Sequence, residues 1–458
     1  MKRPKIFFIL KLVYATSLMS VQIFIGSSIF IYSSIILTQL KDSSSDIKLN
    51  DEQASWIASI PNLMCPIGLI VSGMLTSILG RKKVLQYSYI PMIIGWLLLY
   101  FAKDFYYILI ARIVLGLAYG SGIVTFIYTA EVCPTAQRPL FLALISVFTG
   151  FSMFNISFLG MYYDWKIIAA IYGVLSVCGA LGLFTIPEPP KWLRSRNRND
   201  EAIQAEKWFG VDSIPVNDDS EEIDTQPVKS VKLLAWSTYT APNVWKPTSH
   251  VILFLIIQQW SGIYVLLAYS VDVLRNCGVH KDGITVTMYL SFARITGSIT
   301  FFLLSGVKRR TLTIISGLGM FVGLSLVLGY LHLLQNVSDS VSHNDNWIII
   351  FFFIYVYFTM LGVMPIPWSI IGELFPMHVK GIMNAAATSI GYVFIFCVTK
   401  LYPMFVSKLG IKIVWTFYSC ACLMIVLYGW FLMPETKGKS LEEISTSFES
   451  KKKNSVIE

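Results

Sequence analysis

Long apolar runs recur along this chain and limit its possible folds more than any other feature. A helix needs about 20 apolar residues to cross a bilayer, and the run that follows the basic leader and ends near Leu37 is long enough. Because it has no small-residue cleavage site, we interpret it as a spanning helix and not as a removable signal peptide. Further runs of this kind lie at 54–79, 84–102, 105–129, 139–161, 164–186, 247–274, 284–306, 311–333, 347–371, 383–406 and 411–433. The sequence therefore predicts an all-α membrane protein with twelve transmembrane helices.

The composition supports a membrane protein. Hydrophobic residues make up 55% of the chain and charged residues only 14%, whereas charged residues approach about a quarter of a soluble protein. The net charge of +9 does not indicate a nucleic-acid partner, because the basic residues form short clusters between apolar runs. The seven cysteines show no Cys-x-x-Cys spacing, so we expect no disulfide framework.

A polar stretch separates two sets of six predicted helices. We divide the chain into an N-terminal bundle (1–186), a cytoplasmic linker with short helices and mobile loop (187–246), a C-terminal bundle (247–433) and a cytoplasmic tail (434–458). Lysine and arginine lie in alternate loops, on the same side as the leader and the linker, which places both termini in the cytoplasm. We expect a multi-pass protein of the plasma membrane that functions as a monomer.

Three short patterns occur once in each half, which indicates that six helices have been duplicated in parallel. The pairs are Glu131-x-x-Pro134-x-x-x-Arg138 with Glu373-x-x-Pro376-x-x-x-Lys380, Gly80-Arg81-Lys82 with Lys308-Arg309-Arg310, and Pro187-Glu188 with Pro434-Glu435. Such halves rock against each other around a site near the bilayer midplane. Ion pairs between the repeated charges would close its cytoplasmic side, and the candidate gate residues are Arg81, Glu131, Arg138, Arg309, Glu373 and Lys380. Alternatively, the basic residues only mark topology.

Gln258 and Gln259 lie in the middle of an apolar run, Val251 to Leu267. A polar side chain that faces hydrocarbon is costly unless a partner or water satisfies it. The pair therefore predicts a hydrated cavity or a bound polar solute.

Several motifs, in the right order, resemble the signatures of sugar porters in the major facilitator superfamily. They are Pro187-Glu188-Pro189-Pro190-Lys191-Trp192-Leu193, Gln258-Gln259-Trp260-Ser261-Gly262-Ile263, Pro365-Ile366-Pro367-Trp368, Gly372-Glu373-Leu374-Phe375-Pro376, and Pro434-Glu435-Thr436-Lys437-Gly438. Further details, Ser55-Trp56-Ile57, Gly95-Trp96 and Val398-Thr399-Lys400, resemble the insect facilitated trehalose and glucose transporters. The resemblance covers nearly the whole chain and implies facilitated transport of a hexose or trehalose.

The resemblance also implies a binding site. Gln258 and Gln259 occupy positions where the family hydrogen-bonds sugar hydroxyls, and Trp368 the position where an aromatic face covers the sugar ring. Alternatively, the two amides bond neighbouring helices and the tryptophan belongs to the core. Other family positions are substituted, and these substitutions are Tyr264, Ser146, Ala293, Met360 and Tyr392. We include Tyr264, Ser146 and Tyr392 among the residues expected to contact the solute.

Arg294 lies in the middle of a predicted span, where a bare cation is expensive. It either faces the cavity and holds an anion or a carbonyl, or it pairs with the backbone and reaches a wet cavity wall. No carboxylate is placed near the midplane to bind a coupling ion, so we expect uniport.

Other classes of function are considered as well. The dispersed histidines show no metal-ligand spacing and no nucleophile motif has a partner, so we expect neither an enzyme nor a bound metal or cofactor. A transporter of another polyol or a small organic anion, or a non-transporting sugar sensor, is the alternative. Asn336-Val337-Ser338 is a glycosylation sequon, although a chance match is as common.

Overall fold

The computed structural model describes residues 3–41, 47–134, 137–209, 242–336, 345–374 and 379–435. The regular secondary structure of these residues is helical, as the apolar runs predict. The predicted mobile part of the linker and the tail from residue 436 lie outside the described residues.

The first half of the chain forms long helices joined by short connections. They are α1 (Arg3–Leu40), α2 (Asp51–Leu79), α3 (Arg81–Tyr100), α4 (Phe105–Gly120), α5 (Ile123–Val132), α6 (Arg138–Tyr162) and α7 (Trp165–Gly182). Polar residues between the apolar runs begin these helices. Asn50 accepts a hydrogen bond from the Gln53 amide at 2.7 Å, and Asp104 accepts one from the Tyr107 amide at 3.1 Å.

Two short helices follow within the predicted linker, α8 (Pro190–Ser195) and α9 (Asn199–Phe209). They pack through Trp192, Leu193, Ala202 and Ala205.

The second half contains the same kind of helices, but more of them are interrupted. They are α10 (Pro242–Gln259), α11 (Ile263–Ala268), α12 (Ser270–Asn276), α13 (Gly283–Leu303), α14 (Arg309–Asn336), α15 (Asp345–Phe358), a π-helical turn (Thr359–Val363), α16 (Pro365–Leu374), α17 (Lys380–Leu409) and α18 (Ile411–Phe431). Asn336 ends α14, and the rest of its sequon lies outside the described residues.

Within the described ranges, ten helical segments are long and apolar enough to cross a membrane. The other two predicted spans differ from these. The run at 84–102 lies on α3, which begins with Arg81, Lys82 and Lys83, and the run at 247–274 is divided among α10, α11 and α12.

Two helix breaks shape the centre of the second half. Gly262 separates α10 from α11 with a φ of 86°, and a Cβ there would lie 2.6 Å from the Tyr418 ring, so only glycine fits. The π-helical turn separates α15 from α16, where Pro365 and Pro367 follow and cannot donate backbone hydrogen bonds.

The two halves pack against each other along α2 with α17 and along α6 with α13. We call the end of the bundle that carries Arg81, Glu131 and Glu188 the linker end. The opposite end, with Lys41 and Asp272, is called the far end.

Candidate functional site

Gln258 is completely buried and bridges two helices. Its Nε2 donates to the carbonyls of Val363 at 2.8 Å and Met364 at 3.2 Å. In a regular helix the Val363 carbonyl would accept from the amide of residue 367, but Pro367 has none. The nitrogen of Gln258 therefore replaces a donor that the proline removes, which is the helix-bridging alternative considered for this pair.

Gln259 is also completely buried, but its amide group has a different environment. Its Nε2 donates to Gln258 Oε1 at 3.1 Å. Its own Oε1 has no hydrogen-bond partner among the described residues. A buried carbonyl oxygen without a donor is unfavourable by about 1–3 kcal/mol, so this atom is ready to accept from a hydroxyl.

Aromatic side chains from both halves meet around Tyr264 and Trp368, which follow Gln259 by five residues and Met364 by four. Trp368 lies against Tyr392 with ring centroids 5.3 Å apart. From the first half, Tyr119 contacts Tyr392 edge-on at 6.2 Å, while Phe30 contacts Tyr119 at 5.2 Å and Tyr264 at 6.2 Å. We call these five aromatic residues the aromatic cluster. Three of them, Trp368, Tyr264 and Tyr392, were expected at the site from the sequence.

Phe30 and Tyr119 are the members that sequence reasoning missed. Aromatic residues are common in membrane helices, so a single sequence does not distinguish them. One signal is Gly26, where a Cβ would lie 2.2 Å from the Tyr119 ring. The missing side chain lets Tyr119 lie against α1.

Arg294 and Ser146 belong to the packed pair of α13 and α6. Arg294 is only 2% exposed, and its Nη1 donates to Ser291 Oγ at 2.9 Å. Ser146 is half-buried and lies one turn before Gly150, whose backbone approaches the Arg294 carbonyl. The structure thus places Arg294 at the interface between the halves.

At the linker end, residues from different repeated motifs contact each other within each half. Arg81 donates to Glu131 Oε1 from Nε at 3.0 Å and from Nη2 at 2.6 Å. Glu188 accepts from the backbone amides of Arg81, Lys82 and Lys83 at 2.9 to 3.1 Å. In the second half, Glu435 accepts from the amides of Arg309 and Arg310, both at 3.3 Å.

The remaining gate candidates are only partly defined. Arg138 begins α6, and its buried Nε has no hydrogen-bond partner among the described residues. Burial raises the pKa of the nearby Cys133 thiol to about 12, although Arg138 opposes the shift. Glu373 lies in α16 and Lys380 begins α17, but their side chains lie outside the described part of the chain.

Polar contacts at the far end join the two halves. Lys41 Nζ lies 2.8 Å from Asp272 Oδ1, and Ser270 Oγ donates to Ser34 Oγ at 2.9 Å. Lys400 Nζ donates to Ser55 Oγ at 2.7 Å and lies 4.1 Å from the centroid of the neighbouring Trp56 ring. The far end is therefore held closed across the two halves.

Residues 11–448 match the family model described as sugar (and other) transporter. The chain belongs to this transporter family. The sugar-porter resemblance carried by its motifs is confirmed.

Relatives of this transporter include proteins named as sugar carriers. The sugar transporter ERD6-like 6 of Arabidopsis thaliana is 29% identical over 88% of this chain and 84% of that protein. The facilitated trehalose transporter Tret1 of Polypedilum vanderplanki is 27% identical over 94% of this chain and 88% of its own length. The mouse solute carrier family 2, facilitated glucose transporter member 6, is 26% identical over 92% and 88%.

A solved structure identifies the fold. The proton:xylose symporter XylE bound to 6-bromo-6-deoxy-D-glucose superimposes with a TM-score of 0.72 over 96% of this chain and 99% of that chain, at 19% identity. This transporter therefore has the major facilitator fold, as the duplicated patterns and motifs predict.

Proposed function

We propose that this protein is a facilitative sugar transporter that carries a hexose or trehalose by alternating access. One observation supports this most: a buried amide oxygen without a partner among the described residues, that of Gln259, lies five residues before Tyr264, a member of the aromatic cluster to which both halves contribute. A sugar offers hydroxyl donors to such an oxygen and an apolar ring face to such rings. The names of the relatives support the same solute class.

The topology is part of this proposal. The helix α3 and the segment α10–α12 complete twelve spans, in bundles 1–186 and 247–433. The linker end carries basic residues such as Arg81 and Arg310, which favours a cytoplasmic position for it and for both termini. The far-end contacts then close the outer side. We expect the protein to function as a monomer in the plasma membrane.

Each candidate residue has a role in the cycle. Gln259 accepts a sugar hydroxyl, and Trp368 and Tyr392 cover the ring. Gln258 binds sugar only through its Oε1, because its Nε2 donates to the Val363 carbonyl at the helix break before α16. Tyr264, Ser146 and Arg294 border the solute in other conformations.

The charged residues at the linker end form the cytoplasmic gate. The ion pair of Arg81 with Glu131, together with Arg138, belongs to the first half. Arg309, Glu373 and Lys380 supply the second half. Ion pairs of this kind close one side of the cavity and exchange partners when it opens.

The positions of the aspartate and glutamate side chains support uniport. Within the described residues, every carboxylate lies near a helix end, in the linker helices or between the long helices. The buried Arg112 donates to the carbonyls of Ile57 and Ile29 at 3.0 and 2.8 Å and to the Ser33 hydroxyl, all neutral groups. Among the described residues, a proton or sodium ion therefore has no carboxylate at the midplane to bind.

A solute panel in proteoliposomes tests this function. Radiolabelled glucose, trehalose, myo-inositol and glucuronate are compared with protein-free liposomes. We expect saturable uptake of glucose or trehalose, recovered chemically unchanged. Uptake of glucuronate alone would instead establish the organic-anion alternative, and sugar binding without flux would establish a sensor.

A further inference from the structure

Arg294 carries a charge in the middle of the membrane region. It lies 11 residues after Gly283, the first residue of α13. At about 1.5 Å per residue this is a depth of roughly 16 Å, half of a hydrocarbon core of about 30 Å. Because the side chain is only 2% exposed, bulk water and lipid headgroups do not surround this charge.

No acidic side chain among the described residues pairs with Arg294. Its side chain donates to the hydroxyl of Ser291, a neutral group that also contacts Ser157 Oγ at 2.8 Å. Four ion pairs form among the described residues, and Arg294 takes part in none of them. Arg112 differs, because three separate protein acceptors surround its guanidinium. A guanidinium has five N–H donors, so most of those on Arg294 remain available.

A small cavity borders this side chain. Its volume is about 10 Å³, enough for one water-sized group. Much of its wall is apolar, including Ile263, Leu266 and Val356. Two hydroxyls also line it, but Tyr355 donates to the Ser261 carbonyl and Thr359 to the Tyr355 carbonyl, both at 2.8 Å. Arg294 is therefore the donor that the wall offers to an occupant.

We propose that Arg294 and this cavity bind a single halide ion, which is chloride in physiological solutions. A halide needs N–H or O–H donors and positive charge but offers no proton, and the Arg294 guanidinium supplies both the donors and the charge. Water would gain only part of its usual two to four hydrogen bonds and would leave the charge uncompensated. A whole sugar acid exceeds the volume.

The ion would connect segments that surround both helix breaks. The cavity wall joins Arg294 on α13 to Leu266 on α11 and to Met360 on the π-helical turn. Binding would therefore stabilise the packed arrangement of these segments, and this consequence does not depend on which solute is carried.

Thermal unfolding of the purified full-length protein tests the site. Sodium methanesulfonate is replaced by sodium chloride or sodium bromide at constant ionic strength, without sugar. We expect a saturable rise of the unfolding midpoint for the wild type and for Arg275→Gln, which removes an exposed arginine of α12. We expect no such rise for Arg294→Gln, and a retained rise for Arg294→Lys, which keeps the charge.

A direct measurement covers the case in which Arg294→Gln does not fold. Equilibrium dialysis of the wild-type protein with radioactive chloride should show saturable binding of one ion per chain. Absence of saturable binding, or an equal halide effect in Arg294→Gln and wild type, would overturn the proposal. Stabilisation by glucuronate but not by chloride would also overturn the proposal, because Arg294 would then bind the carboxylate of a transported acid.

Discussion

Gln258 and Gln259 are neighbours in the sequence, yet their amide groups have different partners. The nitrogen of Gln258 compensates for the amide that Pro367 lacks, by bonding the Val363 carbonyl. The oxygen of Gln259 has no partner among the described residues. One residue therefore stabilises the broken helix, and the other keeps an acceptor for a solute.

The two alanine variants should separate these roles. Gln258→Ala leaves a buried carbonyl unsatisfied, so we expect the free energy of unfolding to fall by about 1–3 kcal/mol. Gln259→Ala removes an oxygen that no described residue bonds and one hydrogen bond, from its Nε2 to Gln258 Oε1, whereas Gln258→Ala removes that bond and two more. We therefore expect a smaller loss of stability for Gln259→Ala and about tenfold weaker sugar affinity. Thermal unfolding and equilibrium sugar binding measure both effects. Equal loss of stability in both variants, with unchanged sugar affinity in Gln259→Ala, would contradict this division.

At the scale of helices, each half places a glutamate from one motif at the start of a helix from another motif. Glu188 bonds the first amides of α3, and Glu435 bonds those of α14. A carboxylate at a helix N-terminus satisfies free amides and interacts favourably with the helix dipole. Gly80 makes room for the first contact, since a Cβ there would lie 2.5 Å from Glu188 Oε1. The repeated motifs therefore form a repeated cap.

Removing the charge of Glu188 or of Glu435 should lower the free energy of unfolding by unequal amounts. Glu188 makes contacts of 2.9 to 3.1 Å, whereas those of Glu435 are 3.3 Å. We expect Glu188→Gln to lower the free energy of unfolding by about 1–2 kcal/mol and Glu435→Gln to lower it less. Chemical unfolding followed by tryptophan fluorescence measures the difference. The control is Glu201→Gln on α9, and a loss of stability there as large as in Glu188→Gln would rule out a capping effect.

For the whole molecule, the sequence predicts the helices well because bilayer thickness dictates their length and composition. The resemblance likewise implies that Trp368 and the substituted position Tyr392 lie at one site. Their rings are in contact at 5.3 Å, and binding of a solute there stays a prediction. Contacts between distant segments are not predicted. Lys41 and Asp272 are 231 positions apart, and neither belongs to a recognisable pattern. Such pairs depend on how the halves dock, which hydropathy does not encode.

The balance of charges in the whole molecule bears on energy coupling. The buried cations Arg112 and Arg294 have neutral protein partners, and the described carboxylates lie away from the midplane. A carrier that binds no coupling ion can shift between states only through the binding energy of its solute. Net flux must then stop when the solute concentrations on the two sides are equal.

Proteoliposomes that take up glucose or trehalose provide the measurement. We expect the internal sugar concentration to rise to the external value and no further. Neither a protonophore nor replacement of sodium by potassium should change the initial rate, because no ion gradient drives the cycle. A pH gradient, acidic outside, should not produce accumulation either. Accumulation above the external concentration that a protonophore abolishes would require a titratable group in the transport path, and uniport would be excluded.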